Sequence, residues 1–258
     1  MDTAHYPRHR AEIFMKECIR ACLLTTTLLV MTHSVRAQTG QYPHRFETVV
    51  SKKVSGKYLL FLPKDYGKGP NRYPLIMYLH GGSLRGEDLE KVRALGLPRI
   101  VEEDKSFPFI VVSPLCPAGE IWTDTDMLIG ILDEVSSKYS VDPERIYLTG
   151  HSMGGRGALY FGYKHPERFA AIISISGNVP ITAWVSRLKD VPVWLFHGVK
   201  DDLVPIKDSE TMVEALKTAG GDVKFTRLPE RDHFILDIYE NKELYQWLLD
   251  HRKNMARK

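Results

Sequence analysis

Strand-like and helix-like segments alternate along most of this chain, and that order constrains the fold more than any other feature of the sequence. The strand-like segments are short runs of branched and aromatic residues, whereas the helix-like ones carry apolar residues at three- and four-residue spacing. Such alternation predicts the α/β class: a largely parallel sheet with right-handed crossovers and helices on both faces. The strands are expected at residues 75–79, 109–112, 146–149, 169–175, 193–197 and 223–228, and the helices at residues 124–138, 156–164, 209–219 and 242–251.

Two local patterns allow more specific predictions. Residues 46–50 and 58–62 are expected to pair as a hairpin around residues 51–56. The helix at residues 124–138 is expected to begin with Asp124 or Thr125 as its cap.

The first forty residues differ from the rest of the chain. Basic residues precede an uncharged run at 21–31, and Val35 and Ala37 then supply the small side chains of a signal-peptidase cleavage site. Eleven uncharged residues are too few to span a bilayer, which needs about 20, so no stable membrane anchor is expected. Residues 1–37 are therefore predicted to be a signal peptide, with Met15 as a possible start, and the protein is expected to be secreted or periplasmic.

Composition limits the class of protein and the choice of partner. Of the 258 residues 43% are hydrophobic, and no repeat or low-complexity linker divides residues 38–258, so these residues are expected to form a single domain. The net charge of +3 is spread along the chain without a basic cluster interleaved with aromatic residues. Nucleic acid is therefore not an expected partner, and the oligomeric state is not predicted.

A pentapeptide, GHSMG at residues 150–154, lies between a predicted strand and a predicted helix. A sharp turn there would expose the hydroxyl of Ser152, and the flanking glycines would let the helix approach the strand closely. A serine hydroxyl needs an adjacent base to act as a nucleophile. Ser152 is thus a candidate nucleophile, and the alternative is a glycine-rich turn whose serine caps the helix.

Partners of Ser152 should follow other strands, because ligands bind beyond the carboxyl ends of the strands in a parallel sheet. Three loops qualify. HGGS at residues 80–83 supplies small residues whose N–H groups could face an oxyanion, GVKDD at residues 198–202 supplies carboxylates, and ERDH at residues 230–233 supplies a histidine. The candidate groups therefore follow one another in the order serine, acid, histidine.

Three motifs make this chain resemble the α/β-hydrolase superfamily over nearly the whole predicted mature length. YLHGG at residues 78–82 is similar to the oxyanion segment of that superfamily, GHSMG to its nucleophile elbow, and HGVKDDLVP at residues 197–205 to its acid loop, HG-x-x-D-x-x-V-P. The nearest resemblance is to secreted esterases related to polyhydroxybutyrate depolymerases, feruloyl esterases and phospholipase/carboxylesterases. Residues 116–122 resemble a Pro-rich, Trp-containing loop from a branch described as predicted peptidases.

This resemblance implies a catalytic triad of Ser152 as nucleophile, Asp201 as acid and His233 as base. The motif spacing favours Asp201 over the adjacent Asp202, which is expected to cap or line the loop. Among ten histidines, His233 alone follows the last predicted strand and precedes the last predicted helix. The alternative for His233 is a histidine in a surface loop, and the alternative for Asp201 is an Asx turn before Pro205.

The resemblance also implies an oxyanion hole that uses the N–H of Met153 and one from the Gly82 and Ser83 region. Two departures concern this geometry. Many relatives have a third glycine where this chain has Ser83, and a small residue before the catalytic histidine where this chain has Asp232. A plain turn is the alternative interpretation of the HGG segment.

Several other residues are weaker candidates. Trp122, His151 and Trp184 are possible substrate-binding residues, although each tryptophan could instead pack in the core. Cys116 is the only cysteine after residue 37 and is expected to be a buried or semi-buried structural thiol, with a catalytic role as the alternative. No Cys/His cluster has zinc spacing, so neither a metal ion nor an organic cofactor is expected.

Together these features predict a serine hydrolase that cleaves carboxylic esters through an acyl-enzyme. Only residues 176–191 lie where larger relatives insert a lid, so the site is expected to be open, with minimal or no lid. An open site, secretion and the resemblance together favour an ester on a bulky or polymeric substrate, such as acyl or feruloyl groups on a plant polysaccharide, or a short-chain carboxylic ester. The alternatives are a serine peptidase of the same fold and a catalytically silent binding protein.

Overall fold

One mixed sheet organises the computed structural model, which describes residues 45, 47–49, 51–177 and 181–253. Within these residues the sheet has seven strands in the order β1-β3-β2-β4-β5-β6-β7. Only β1 runs antiparallel, along the outer edge of β3, and the other neighbours are parallel. The prediction of a mostly parallel α/β sheet is confirmed. The strands are β1 (Tyr58–Phe61), β2 (Tyr73–Leu79), β3 (Ile110–Pro114), β4 (Val141–His151), β5 (Ala171–Ile175), β6 (Val193–Gly198) and β7 (Val223–Leu228).

Helices occupy the connections between the parallel strands, and one more follows the last strand. In the described residues they are α1 (Leu89–Arg93), α2 (Gly96–Glu103), α3 (Met127–Lys138), α4 (Met153–Lys164), α5 (Val185–Leu188), α6 (Ile206–Thr218) and α7 (Lys242–Leu249). The helix predicted at residues 124–138 begins three residues later than expected. Of its two candidate caps, Thr125 accepts a hydrogen bond from the N–H of Met127 at 3.1 Å, whereas Asp124 bonds the hydroxyl of Thr123.

Two hydrophobic layers cover the sheet, because successive side chains of a strand point to opposite faces. On β2, Leu75, Met77 and Leu79 face the layer that contains α3, α4 and α6, while Ile76 and Tyr78 face the layer that contains α2 and α7. All five side chains are buried. The central strands are thus held from both sides, and their carboxyl ends are fixed relative to one another.

The predicted hairpin at residues 46–62 is wrong. Residues 47–49 form no strand, and β1 pairs with β3 along its whole length. Pairing with β3 lets β1 close the edge of a large sheet, whereas an isolated hairpin is only marginally stable in water.

Contacts divide the chain into two units, Met1–Ser51 and Lys52–Lys258, and the sheet belongs to the second. The predicted signal at residues 1–37, its cleavage site and the possible start at Met15 lie outside the described residues. In the part of the chain that the structure describes, no helix has both the length and the apolar character needed to cross a bilayer.

Candidate active site

Ser152 stands on a strained turn between β4 and α4. Its φ of 57° and ψ of −120° lie in a region that residues with side chains rarely adopt. A Cβ at position 150 would overlap the main chain of Gly154, and one at position 154 would overlap the carbonyl oxygen of Leu79. Both glycines are therefore required for the close approach of α4 to β2 and β4, and that approach presents the serine hydroxyl at the edge of the sheet.

His233 bridges Ser152 and Asp201, although the three residues come from different loops. Its Nε2 lies 2.9 Å from the Oγ of Ser152, and its Nδ1 lies 2.8 Å from the Oδ2 of Asp201. The carboxylate can only accept, so Nδ1 carries the hydrogen and Nε2 is left with a lone pair toward the serine hydroxyl. Such an arrangement can take a proton from Ser152.

Asp201, and not Asp202, is the carboxylate that meets His233. Its Oδ1 accepts hydrogen bonds from the N–H groups of Leu203 at 3.0 Å and Val204 at 2.8 Å, and its side chain is fully buried. Burial alone would raise the pKa of Asp201, but the hydrogen bonds from Val204 and His233 outweigh it and hold the pKa below its usual value. Asp201 is thus ionised at neutral pH, while the neighbouring Asp202 is exposed.

His197, at the end of β6, supports the same carboxylate. Its Nε2 lies 3.1 Å from the Oδ2 of Asp201 and 2.9 Å from the carbonyl oxygen of Val204, so this nitrogen carries the hydrogen. Its Nδ1 then accepts from the hydroxyl of Ser209 at 2.7 Å. Sequence reasoning gave His197 no role beyond ending a strand, although its place four residues before Asp201 was a usable signal.

His151 packs against His233 and does not line the space beside Ser152. It is 4% exposed, and its Nε2 donates to the carbonyl oxygen of His233 at 2.8 Å. Burial lowers the pKa of His151 to about 4, so the ring is neutral at physiological pH. The side chain therefore joins the nucleophile turn to the base loop, and its burial does not fit the possible substrate contact expected for it.

The segment expected to form the oxyanion hole lies against the nucleophile turn. A Cβ at Gly81 would be 3.7 Å from the Cβ of Ser152, and one at Gly82 would be 3.7 Å from the sulfur of Met153. Gly82 and Ser83 open a short 3₁₀ helix, and Met153 opens α4. The first N–H groups of a helix have no acceptor within it, so these residues lie where donors are available.

His80 and Arg85 hold this segment in place. The Nδ1 of His80 donates to the carbonyl oxygen of Gly81 at 2.7 Å, and its Nε2 accepts from the N–H of Cys116 at 3.0 Å. The Nε of Arg85 donates to the carbonyl oxygen of Gly82 at 3.0 Å. The loop geometry thus depends on side chains from both of its ends.

A cavity of about 240 Å³ opens beside Ser152. Trp122 lines it and donates its indole N–H to the carbonyl oxygen of His80 at 2.8 Å, so Trp122 is both buried and part of the cavity wall. Trp184 does not line this cavity and instead packs against Tyr160 and Tyr163. The seven lining residues are Ile121, Trp122, Thr123, Ser152, Met153, Arg156 and Val204.

Cys116 is buried, as expected, and burial raises the pKa of its thiol to about 11. It is therefore protonated and unreactive at neutral pH. Within the described ranges, no group of three or more His, Cys, Asp or Glu side chains is arranged to hold a metal ion.

Comparisons with known proteins agree with this architecture. Residues 119–239 match the family described as phospholipase/carboxylesterase. An acyl-protein thioesterase 1 homolog from Dictyostelium discoideum is 34% identical over 111 residues, covering 41% of this chain and 50% of that protein. The bifunctional acetylxylan esterase/xylanase XynS20E from Neocallimastix patriciarum is 27% identical over 150 residues, covering 54% of this chain and 21% of that protein. The chain thus spans half or less of these relatives.

A solved structure extends the agreement to the fold. The structure of a thermostable esterase superposes with a TM-score of 0.63 at 33% identity, covering 76% of this chain and 59% of the other. A mostly parallel sheet with a strained serine turn after a central strand is the architecture of the α/β-hydrolases. This chain therefore has the α/β-hydrolase fold. The family model that it matches, over residues 119–239, is that of the phospholipase/carboxylesterases.

Proposed function

We propose that this protein hydrolyses carboxylic esters through an acyl-enzyme, with Ser152 as nucleophile, His233 as general base and Asp201 as the acid that orients it. The observation that carries the proposal is the pair of contacts at His233, 2.9 Å to the serine hydroxyl and 2.8 Å to the carboxylate. Both distances are within the hydrogen-bond reach that proton transfer requires.

In the proposed reaction, His233 removes the proton of Ser152 as the oxygen attacks the ester carbonyl. Asp201 keeps the hydrogen on Nδ1 and stabilises the imidazolium that forms. His233 then returns the proton to the leaving alcohol, and water hydrolyses the acyl-enzyme by the same path. Every proton in this cycle passes through Nε2 of His233.

The developing negative charge on the carbonyl oxygen needs donors held in place before the reaction. We assign these donors to the N–H of Met153 and to one N–H from Gly82 or Ser83. Both segments are rigid, because α4 is packed against β2 and the loop is held by His80 and Arg85. Loss of one such donor typically lowers kcat about 100- to 1000-fold.

The substrate class follows from the size and openness of the site. A cavity of about 240 Å³ is below the range of about 300–1,000 Å³ that is usual for drug-sized ligands, so it suits a short acyl group. Apolar side chains of the two catalytic loops are exposed, with Leu203 at 61% and Phe234 at 65%, and these would contact a larger body outside the cavity. This supports short-chain esters, including acyl groups carried by a polysaccharide, and the similarity to an acetylxylan esterase supports the same class.

The decisive experiment compares the protein with its Ser152→Ala variant. We expect the unmodified protein to hydrolyse p-nitrophenyl acetate and butyrate and to be labelled by a fluorophosphonate, and we expect Ser152→Ala to do neither. Retention of either property by a folded Ser152→Ala variant would refute the proposal. A p-nitroanilide with the same acyl group separates an esterase from a peptidase: Ser152-dependent cleavage of this amide would favour a peptidase, and its absence beside ester turnover would favour an esterase.

We also propose that the protein acts outside the cytoplasm as a single catalytic domain beginning near Gln38. Expression of residues 1–258 in a secretion-competent host, followed by N-terminal sequencing of the exported protein, tests this. A mature terminus at residue 38 is expected. Accumulation of the full-length chain in the cytoplasm would contradict the proposal.

A further inference from the structure

The cavity beside Ser152 contains one positively charged side chain that the triad does not use. Arg156 follows Ser152 by four residues on α4, so the two lie on the same face of the helix, and the N–H of Arg156 donates to the carbonyl oxygen of Ser152 at 3.1 Å. Among the seven described residues that line the cavity, Arg156 is the only charged one. Its charge therefore dominates the electrostatics of this space.

The guanidinium of Arg156 lacks a partner within the described residues. Its Nε is buried without a hydrogen-bond acceptor, and none of the ion pairs between described residues includes Arg156. By contrast, Arg168 pairs with Asp133 and Arg187 with Glu167. A buried donor without an acceptor is destabilising, so its presence in a substrate cavity points to an acceptor that arrives with the substrate.

A second guanidinium adds to the positive character of the site. Arg85 uses its donors on two neutral carbonyl oxygens, those of Gly82 and Glu120, and its charge is not balanced by an ion pair among the described residues. The carboxylates of the adjoining loop belong to Glu120 and Asp124, and neither of these residues lines the cavity. None of the seven described lining residues therefore carries a carboxylate that would pair with Arg156, and the carboxylate of Asp201 is already bonded to His233.

We propose that Arg156 binds a carboxylate of the substrate, so that the preferred esters are anionic ones whose acyl or alcohol portion carries a carboxylate group. A guanidinium presents paired N–H donors that match the two oxygens of a carboxylate, and the pair is strengthened where water is partly excluded. This inference rests on the proposed ester hydrolysis at Ser152. It adds a substrate feature that the triad itself does not require.

Two pairs of esters test the proposal, and in each pair a carboxylate replaces a methyl group. Monomethyl glutarate is compared with methyl pentanoate for the acyl side, and 3-acetoxypropanoate with propyl acetate for the alcohol side, by titration of released acid at low ionic strength. We expect kcat/KM to favour the anionic ester at least tenfold in one pair, and the pair that responds identifies the side that carries the charge. Added salt should reduce the preference, because it screens the ion pair.

Three variants assign the preference to Arg156. Arg156→Gln should lower the anionic-to-neutral ratio of kcat/KM at least tenfold, and Arg156→Lys should retain part of it, since the charge remains but the paired donors are lost. Arg187→Gln removes the same charge from α5, away from the cavity, and should leave the ratio within twofold. Circular dichroism of each variant checks that it is folded.

Two different failures can be told apart. If the unmodified protein hydrolyses the esters through Ser152 but shows no anionic preference in either pair, or if Arg156→Gln keeps the preference, the role of Arg156 is refuted and the esterase proposal stands. If none of the four esters is hydrolysed in a Ser152-dependent way, the proposed function itself fails, and this inference fails with it.

Discussion

Replacing Asp201 by asparagine should inactivate the protein because the substitution moves the ring hydrogen of His233 from Nδ1 to Nε2. In the structure, Oδ1 of Asp201 accepts two main-chain N–H groups, and Oδ2 accepts from His233. An asparagine has only one oxygen for these three donors. If that oxygen keeps the main-chain bonds, the NH₂ group faces Nδ1 of His233, which must then present a lone pair and move its hydrogen to Nε2.

The size of the expected loss in kcat follows from the protonation of Nε2 of His233. Once this nitrogen carries a hydrogen, it cannot accept the proton of Ser152, and in serine proteases the equivalent loss lowers kcat about 10⁴-fold, or about 5 kcal/mol. The opposite orientation of the amide would keep an acceptor for Nδ1 of His233 but would leave the N–H groups of Leu203 and Val204 without acceptors, at a cost of about 1–3 kcal/mol each. The first orientation is therefore favoured, and we expect the full loss.

The assay is the steady-state hydrolysis of p-nitrophenyl acetate by Asp201→Asn, with Asp202→Asn as the matched control. Asp202 is the neighbouring residue, carries the same charge and is exposed, so its replacement should change kcat less than twofold. Thermal unfolding shows that both variants are folded. The reasoning is refuted if Asp201→Asn keeps more than a tenth of the activity, or if the loss occurs in Asp202→Asn instead.

Three further predictions concern the scaffold of the site. Gly154→Ala should prevent folding or lower activity at least 100-fold, since the added Cβ would overlap main chain at the end of β2, whereas Gly130→Ala on α3, where a Cβ meets nothing within 4 Å, should raise the melting temperature. Burial lowers the pKa of His151 from 6.5 to about 4, so between these pH values the unfolded state binds a proton that the native state does not. The free energy of unfolding should therefore fall by about 3 kcal/mol as the pH drops from 6.5 to about 4. Urea titrations of the His151→Gln variant should show a smaller fall over the same pH range. Cys116, whose pKa burial raises to about 11, should resist iodoacetamide at pH 8 in the folded protein and react fully in urea, and rapid alkylation of the native protein would contradict its burial.

The sequence predicted most of the sheet because its strands contain short apolar runs, such as LIMYL in β2 and VWLF in β6, or β-branched and aromatic residues in alternation, as in β7. The segments expected at residues 193–197 and 223–228 match β6 and β7 within one residue. The two helices between β2 and β3 were not predicted. Gly96 and Pro98 indicate a loop, but Gly96 adopts a left-handed φ of 60° at the start of α2, and Pro98 falls in the first turn, where its missing N–H costs nothing.

The residues brought to the site divide in a similar way. Ser152 and His233 could be predicted because the topology of a parallel sheet places the loops that follow its strands side by side. The position of Arg156 in the cavity could not be predicted, because a lone arginine on an amphipathic helix usually lies on a solvated face. Only the packing of Trp122 and Val204 around the same cavity distinguishes it from any other surface arginine.

Most hydrogen bonds around the site hold the proposed catalytic groups in position. Asp201 is fixed by two N–H groups and His197, the base loop by His151, and the oxyanion segment by His80 and Arg85. His80 and His151 are both buried, and burial lowers the pKa of each ring, which favours the neutral form. A neutral imidazole offers one donor and one acceptor in a fixed tautomer, so each of these two rings can join two segments without adding a charge that would compete with the imidazolium formed in the proposed reaction.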